Sequence, residues 1–258
     1  MQELEDILKT YETIDLNAME EVKLLDRTDT KYVFSRKDLP ALLSNIQSHY
    51  KLLEINGNLI ANYRTVYYDT ANLDLYLLHH HGANNRYKVR HRTYADTQTG
   101  FLELKFTTNK GRTVKERIKQ QEAKPSWSAE AGKFLSTHLP FNPNLLQISM
   151  GVNYRRITLV AKNAQERLTI DTNLELLYGA IHQKIPNLVI AEVKQARRMK
   201  TPVLSYFKKT GISSESLSKY CLAVNTMRPE IKKNNFIEKL NSLNKLIYDT
   251  IPHASANF

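Results

Sequence analysis

Apolar and polar residues alternate over most of this chain, and a helical period shows mainly at its two ends. Up to about Leu25, Leu4, Ile7 and Leu8 recur among mixed charges and predict a helix. From Arg27 the run RTDTKYVF alternates, the mark of a strand. Ser35 is placed to cap a helix that carries Leu39, Leu42, Leu43 and Ile46 on one face, with Pro40 near its first turns. Strand patterns follow in LIANYRTVYYDT, NRYKVRHRTY, GFLELKFTT and GRTVKERIK. A helical stretch over Ser128–His138 interrupts them, and VNYRRITLV, ERLTIDTNLEL and NLVIAEVKQ resume. The tail predicts helices over Pro202–Lys209, Glu215–Asn225 and Phe236–Tyr248, the last striped by Phe236, Leu240, Leu243 and Ile247. About eight strands joined by short polar turns, with helices at both ends, predict an antiparallel α+β fold. Strands and helices do not strictly alternate, which argues against a doubly wound parallel sheet. No Gly- or Pro-rich stretch reads as a linker. One domain is therefore expected over residues 1–258, with a core of about 27–225 and flanking helices over 1–25 and 235–250.

Charge changes this picture. The 37 Lys and Arg residues exceed the 26 Asp and Glu by 11, and a basic excess implies an anionic partner. Solvated surfaces can produce the same total, so placement decides. No apolar run approaches the roughly 18 residues of a membrane span. The opening MQELEDILKTYE lacks the apolar stretch of a secretory signal. The single cysteine, Cys221, permits neither an internal disulfide nor a cysteine metal cage. A cytoplasmic location is the expectation.

Residues two apart on a strand share a face. Leu102, Leu104 and Phe106 oppose Glu103 and Lys105; Val189, Ala191 and Val193 oppose Glu192 and Lys194; Leu168 and Ile170 oppose Arg167, Thr169 and Asp171. Arg27, Asp29 and Lys31 align, as do Arg86, Lys88, Arg90 and Arg92, and Arg156 shares its face with Tyr154 and Thr158. Such faces can simply meet water, as in many antiparallel sheets. Two features point elsewhere. Like charges roughly 6.8 Å apart repel by about 2.4 kcal/mol at an effective dielectric near 20, and the residue used is mostly arginine, whose fork suits phosphate. The pattern also recurs on distant strands. Closing the sheet would turn these faces into one cationic lumen, tolerable when a polyanion fills it.

The same residues resemble the VTC catalytic domain, named for the vacuolar transporter chaperone complex, within the triphosphate tunnel metalloenzyme superfamily. The matching stretches are RTDTKYVF, TVYYDTANLDLY, YKVRHRTY, LELK, RTVKERI, NYRR, RLTIDTNLEL, AEVK and LSKY, in order between residues 27 and 220. The resemblance implies an antiparallel β-barrel tunnel with helices packed outside and at the C-terminus. It also implies a polyphosphate polymerase that moves the terminal phosphate of ATP to a chain threading the tunnel. Carried over residue by residue, Lys31, Arg90, Arg92, Lys105, Arg156, Arg167 and Lys219 are implied to hold phosphates. Lys194 faces the same lumen, Ser218 adds a hydroxyl, and Arg27 and Lys88 extend the triphosphate contacts. Glu192 is implied to bind the catalytic Mn²⁺ or Mg²⁺, with Glu103 and Asp171 in support. The superfamily's paired glutamates on the first strand are here Arg27 and Asp29, a departure that resembles the polymerase branch. No inositol-pyrophosphate-sensing domain or membrane anchor is expected in this chain.

The expected partners are ATP or another triphosphate and inorganic polyphosphate, with no nucleic acid and no membrane span. Nucleic acid is disfavoured because the arginines interleave with buried strand positions and no standard recognition motif is present. Two alternatives stay open: a phosphohydrolase of the same fold that cleaves triphosphate or nucleoside triphosphates, and a non-catalytic polyphosphate-binding module. The triplet His79–His81 is expected in a turn and, without a second ligand cluster, is not read as a metal site. Trp127 is expected to pack, and no P-loop pattern occurs.

Overall fold

The computed structural model describes residues 2–21 and 28–248. Its strands are β1 (Thr13–Ile14), β2 (Thr28–Ser35), β3 (Tyr50–Leu53), β4 (Ala61–Asp69), β5 (Arg86–Tyr94), β6 (Thr99–Thr107), β7 (Thr113–Lys119), β8 (Gln147–Ala161), β9 (Glu166–Tyr178), β10 (Ile181–Ile185) and β11 (Leu188–Gln195). The helices are α1 (Gln2–Lys9), α2 (Leu16–Glu21), α3 (Leu39–Ile46), α4 (Asp74–His80), α5 (Ala129–His138), α6 (Pro202–Lys209), α7 (Lys219–Met227) and α8 (Ile237–Tyr248). The fold is α+β. One sheet runs in the order β2-β11-β9-β8-β4-β5-β6-β7, with β1, β3 and β10 added at the side. The eight strands of that path are the eight alternating stretches of the sequence, and every neighbouring pair is antiparallel.

The sheet curls until its two edges face each other. They are not joined by a ladder among the described residues; instead Asp29 on β2 meets Lys115 on β7 at 3.6 Å. The outer face is apolar and covered. Phe34, Ile157, Leu168, Ile170 and Val189 pack beneath α1, α3 and α6, while Val89, Leu102 and Leu104 pack beneath α5. Alternation explains this directly, since each outward side chain is two residues from the next.

The inner face changes character along its length. Beyond the charged girdle, Val33, Ile190, Leu188, Leu174, Leu176, Met150 and Val152 form an apolar stretch filled by Leu217, by Tyr220, Cys221 and Val224 of α7 and by Leu243 of α8. These helices therefore stopper one end of the lumen.

Several local expectations are corrected. The opening helix is two helices split by β1, which pairs in parallel with β3; its predicted end, with Arg27, lies outside the described residues. Ser35 precedes a single 3-10 turn, Arg36–Asp38, without a side-chain capping bond, and α3 begins only at Leu39. The helix expected over Glu215–Asn225 starts at Lys219. Its first residues lie along the free edge of β2 instead, where Glu215 N–H donates to Lys31 O (2.8 Å) and Ser214 bridges Tyr32. Likewise, His79 and His80 end α4 instead of forming a turn. The buried Asp69 carboxylate accepts from the Leu75 and Tyr76 amides (2.8 and 2.9 Å) and satisfies that helix start. His80 is buried and bonded by Asn235.

Candidate functional site

Three carboxylates on the inner face each take two cations from neighbouring positions. Lys31 on β2 stands directly opposite Glu192 on β11, with Nζ 3.0 Å from Oε1. Lys194, two residues along, pairs with Glu192 and donates to Thr169 Oγ1 at 3.2 Å. On β8, Arg156 grips Asp171 of β9 through two bonds of 2.6 and 2.8 Å, and Lys219 at the start of α7 binds the same carboxylate. On β5, Arg90 reaches Glu103 of β6 at 2.7 Å and Arg92 lies 4.0 Å from it. Aromatic faces line the base of this array. The Arg156 guanidinium lies 4.8 Å from the Tyr63 ring and 5.3 Å from the Tyr154 ring, which Lys219 approaches at 4.9 Å.

Further cations add to this set. Lys88 donates to Ser218 Oγ at 3.0 Å, and the same oxygen caps α7 by accepting the Cys221 amide. Lys105 stands in register between Lys88 and Lys115. Arg167 stands opposite Lys194 and donates to Met19 O at 3.4 Å. The structure thus brings together Lys31, Lys88, Arg90, Arg92, Lys105, Arg156, Arg167, Lys194, Ser218 and Lys219 around Glu103, Asp171 and Glu192. Only Arg27 is outside the described residues.

The protonation balance reflects this crowding. Burial, reinforced by the Lys115 and Lys31 ammoniums, pushes Lys105 down to about 8. Lys88 falls to about 8 through burial, with Cys221 opposing and Lys105, Arg90 and Lys31 reinforcing. Burial also takes Lys194 to about 8, although Glu192 opposes it. Burial alone would raise the carboxyls, but Lys194 and Lys31 hold Glu192 well below its usual range, and Arg156 and Lys219 do the same for Asp171. Three buried polar atoms on this face lack a hydrogen-bond partner among the described residues: Arg92 Nε, Thr65 Oγ1 and Tyr154 Oη. Thr65 stands directly across from Arg92. Orphaned donors beside surplus cations are what an anion with many acceptor oxygens would satisfy.

Among the described residues no three His, Cys, Asp or Glu side chains cluster as a metal site. Glu192 offers one ionised carboxylate. A hard divalent cation that takes most of its ligands from phosphates and water needs only one or two such groups, and this donor set fits that mode but not a protein-only cage.

Sequence reasoning did not single out Lys115, whose pairing with Asp29 bridges the two sheet edges; its signal was the alternation of Thr113, Lys115, Arg117 and Lys119. It also passed over Asp69. Its carboxylate accepts the Tyr220 hydroxyl at 2.5 Å and so ties α4 to α7.

The family described as "VTC domain" matches residues 26–228. No curated protein matches the chain. Solved structures that resemble it include a Hippeastrum candidate adenylyl cyclase described as revealing a dominant triphosphatase activity, at 15% identity and a TM-score of 0.49, covering 77% of this chain and 96% of that one. A candidate adenylate cyclase from Bacillus halodurans aligns at 13% identity and a TM-score of 0.44, covering 75% and 94%. A conserved hypothetical protein from Pyrococcus furiosus aligns at 11% and 0.41, covering 74% and 95%. No helix among the described residues is long and apolar enough to cross a membrane.

Proposed function

This chain belongs to the VTC domain family, and on that premise we propose that it is a metal-dependent polyphosphate polymerase that uses ATP. The observation that carries the reading is the surplus of inward-facing cations over Asp29, Glu103, Asp171 and Glu192, the carboxylates that partner them. Burial pushes Lys88, Lys105 and Lys194 down to about 8, and the neighbouring acidic groups offset this only in part. A phosphate chain would supply the remaining neutralisation along its whole length.

Phosphoryl transfer asks a protein for positioning and charge stabilisation more than for covalent help. Arg90 and Arg92, two residues apart on one face, would hold successive phosphates, and Arg156, Lys31 and Lys219 would gather the oxygens around the transferred group. The bond from the terminal phosphorus to its bridging oxygen breaks as one forms to the acceptor's terminal phosphate oxygen, and ADP leaves. Glu192 would hold Mn²⁺ or Mg²⁺ together with phosphate oxygens, and the ion would supply further neutralisation of the phosphates. Glu103, Asp171 and Glu192 are each engaged by two cations, which disfavours them as a general base for water and supports transfer over hydrolysis.

The test is incubation of purified protein with ATP and Mn²⁺ or Mg²⁺, with and without a short polyphosphate primer, and resolution of the products by size. Extension of the primer is expected. Steady release of free phosphate without extension would replace this reading with the phosphohydrolase.

A further inference from the structure

One aromatic ring on the cationic face serves no apolar core. Phe101 lies on the same face of β6 as Glu103, two residues and roughly 6.8 Å along the strand. Leu102 and Leu104, pointing the other way, pack beneath α5. Phe101 itself joins none of the apolar clusters and stays partly exposed. It sits directly opposite Arg92 on β5, at the end of the lumen away from α7 and α8. Its ring meets Tyr94 edge-on at 5.9 Å, and Tyr94 in turn meets Tyr63 at 5.1 Å. The exposed Arg117 guanidinium lies 4.5 Å from the Phe101 ring.

The π-face of this partly exposed ring, which lies outside the apolar clusters, and the planar guanidinium both suit a flat, uncharged ligand. We infer that Tyr94, Phe101 and Arg117 form a nucleobase platform at this end of the lumen, seating the base of a nucleoside triphosphate whose phosphates lie on Arg90 and Arg92. The inference rests on reading the lumen as a triphosphate site and adds what separates a nucleotide from a bare phosphate chain. Rings and guanidinium planes stack on unpaired bases with little regard to sequence. The platform offers faces, so purine nucleotides should bind ahead of pyrimidine ones because their rings cover more area.

The experiment compares binding of ATP and of inorganic tripolyphosphate by calorimetry in metal-free buffer, where no turnover occurs. Base stacking of the usual strength makes Phe101→Ala weaken ATP binding by roughly 5- to 150-fold, with tripolyphosphate binding unchanged. Phe101→Trp restores ATP, and UTP binds the wild type more weakly than ATP does. Retained tripolyphosphate binding shows that each variant is folded. If Phe101→Ala weakens both probes equally, or neither, the platform is refuted while the phosphate lumen stands. A wild-type protein that binds neither probe refutes the lumen reading and the platform with it.

Discussion

Raising the pH removes charge from the lumen before it removes charge from ordinary lysines. Lys88, Lys105 and Lys194 lose their protons near 8 in the free protein, against an ordinary value of 10.5. A bound polyanion favours the ammonium form and returns each toward that ordinary value, so binding takes up protons above about pH 8. Between about pH 7 and about pH 9 each such lysine then lowers affinity by about tenfold. Lys88 and Lys105 repel each other, so the loss of one proton raises the other's affinity for its own. The combined fall accordingly lies between about tenfold and about 1000-fold. Stability of the free protein moves the opposite way. Below about 8 all three are charged whether folded or not and their burial penalty is complete; it lifts as pH rises toward 10.5, where the unfolded chain loses the same protons. The assay is calorimetric titration with long-chain polyphosphate, whose internal phosphates stay ionised throughout, in buffers of different ionisation enthalpy at about pH 8. Uptake of about 1.5 protons is expected, half from each lysine. Lys105→Arg, which keeps its charge at every such pH, should flatten part of the profile. Affinity that is constant from about pH 7 to about pH 9, or binding without proton uptake, would refute the reasoning.

Other outcomes follow from single contacts. Glu192→Gln leaves Lys31 and Lys194 without their shared carboxylate, so a stability loss of about 3 kcal/mol is expected. Thermal unfolding should show it recovered by added tripolyphosphate, while metal-dependent turnover is lost and polyphosphate binding persists. Arg90→Ala and Arg92→Ala each remove a charge-assisted phosphate contact worth roughly 1.5–3 kcal/mol. Polymer yield should therefore fall in its dependence on both primer and ATP concentration; a fall in ATP use alone would point to a water acceptor. Tyr220→Phe strips the buried Asp69 carboxylate of one donor, and denaturant unfolding should register a loss of about 1.5–3 kcal/mol.

Alternation made much of the site legible. Lys31, Glu192, Lys194, Arg90, Arg92 and Arg156 share a face because each sits an even number of residues from its neighbours on unbroken strand. The rule fails where the strand is irregular. Asn173 adopts a left-handed backbone (φ 51°), and the register of β8 against β9 shifts between Asn153 and Arg155. Leu174 therefore lies inward with Asp171, although counting by twos assigns them to opposite faces. That shift hid the apolar stretch on which α7 sits. The position of α7 itself was obscured because Glu215 and Ser216 resemble a helix start, whereas hydrogen bonding to the edge of β2 holds this segment extended. No local pattern announces such long-range competition for backbone groups. Asp69 was hidden for a related reason: it anchors α4 and α7 through partners up to 151 residues away.

The packed end of the lumen bears on how a polymer can grow. With α7 and Leu243 filling one side of the girdle, the donor and acceptor of the proposed transfer would both approach Glu192 from the other side. A chain seated there would occupy the route of the next nucleotide, so it would have to leave the lumen before each addition. Growth by the proposed polymerase would then be distributive. Product lengths should rise together across the whole population, and excess long chain should compete with ATP for entry.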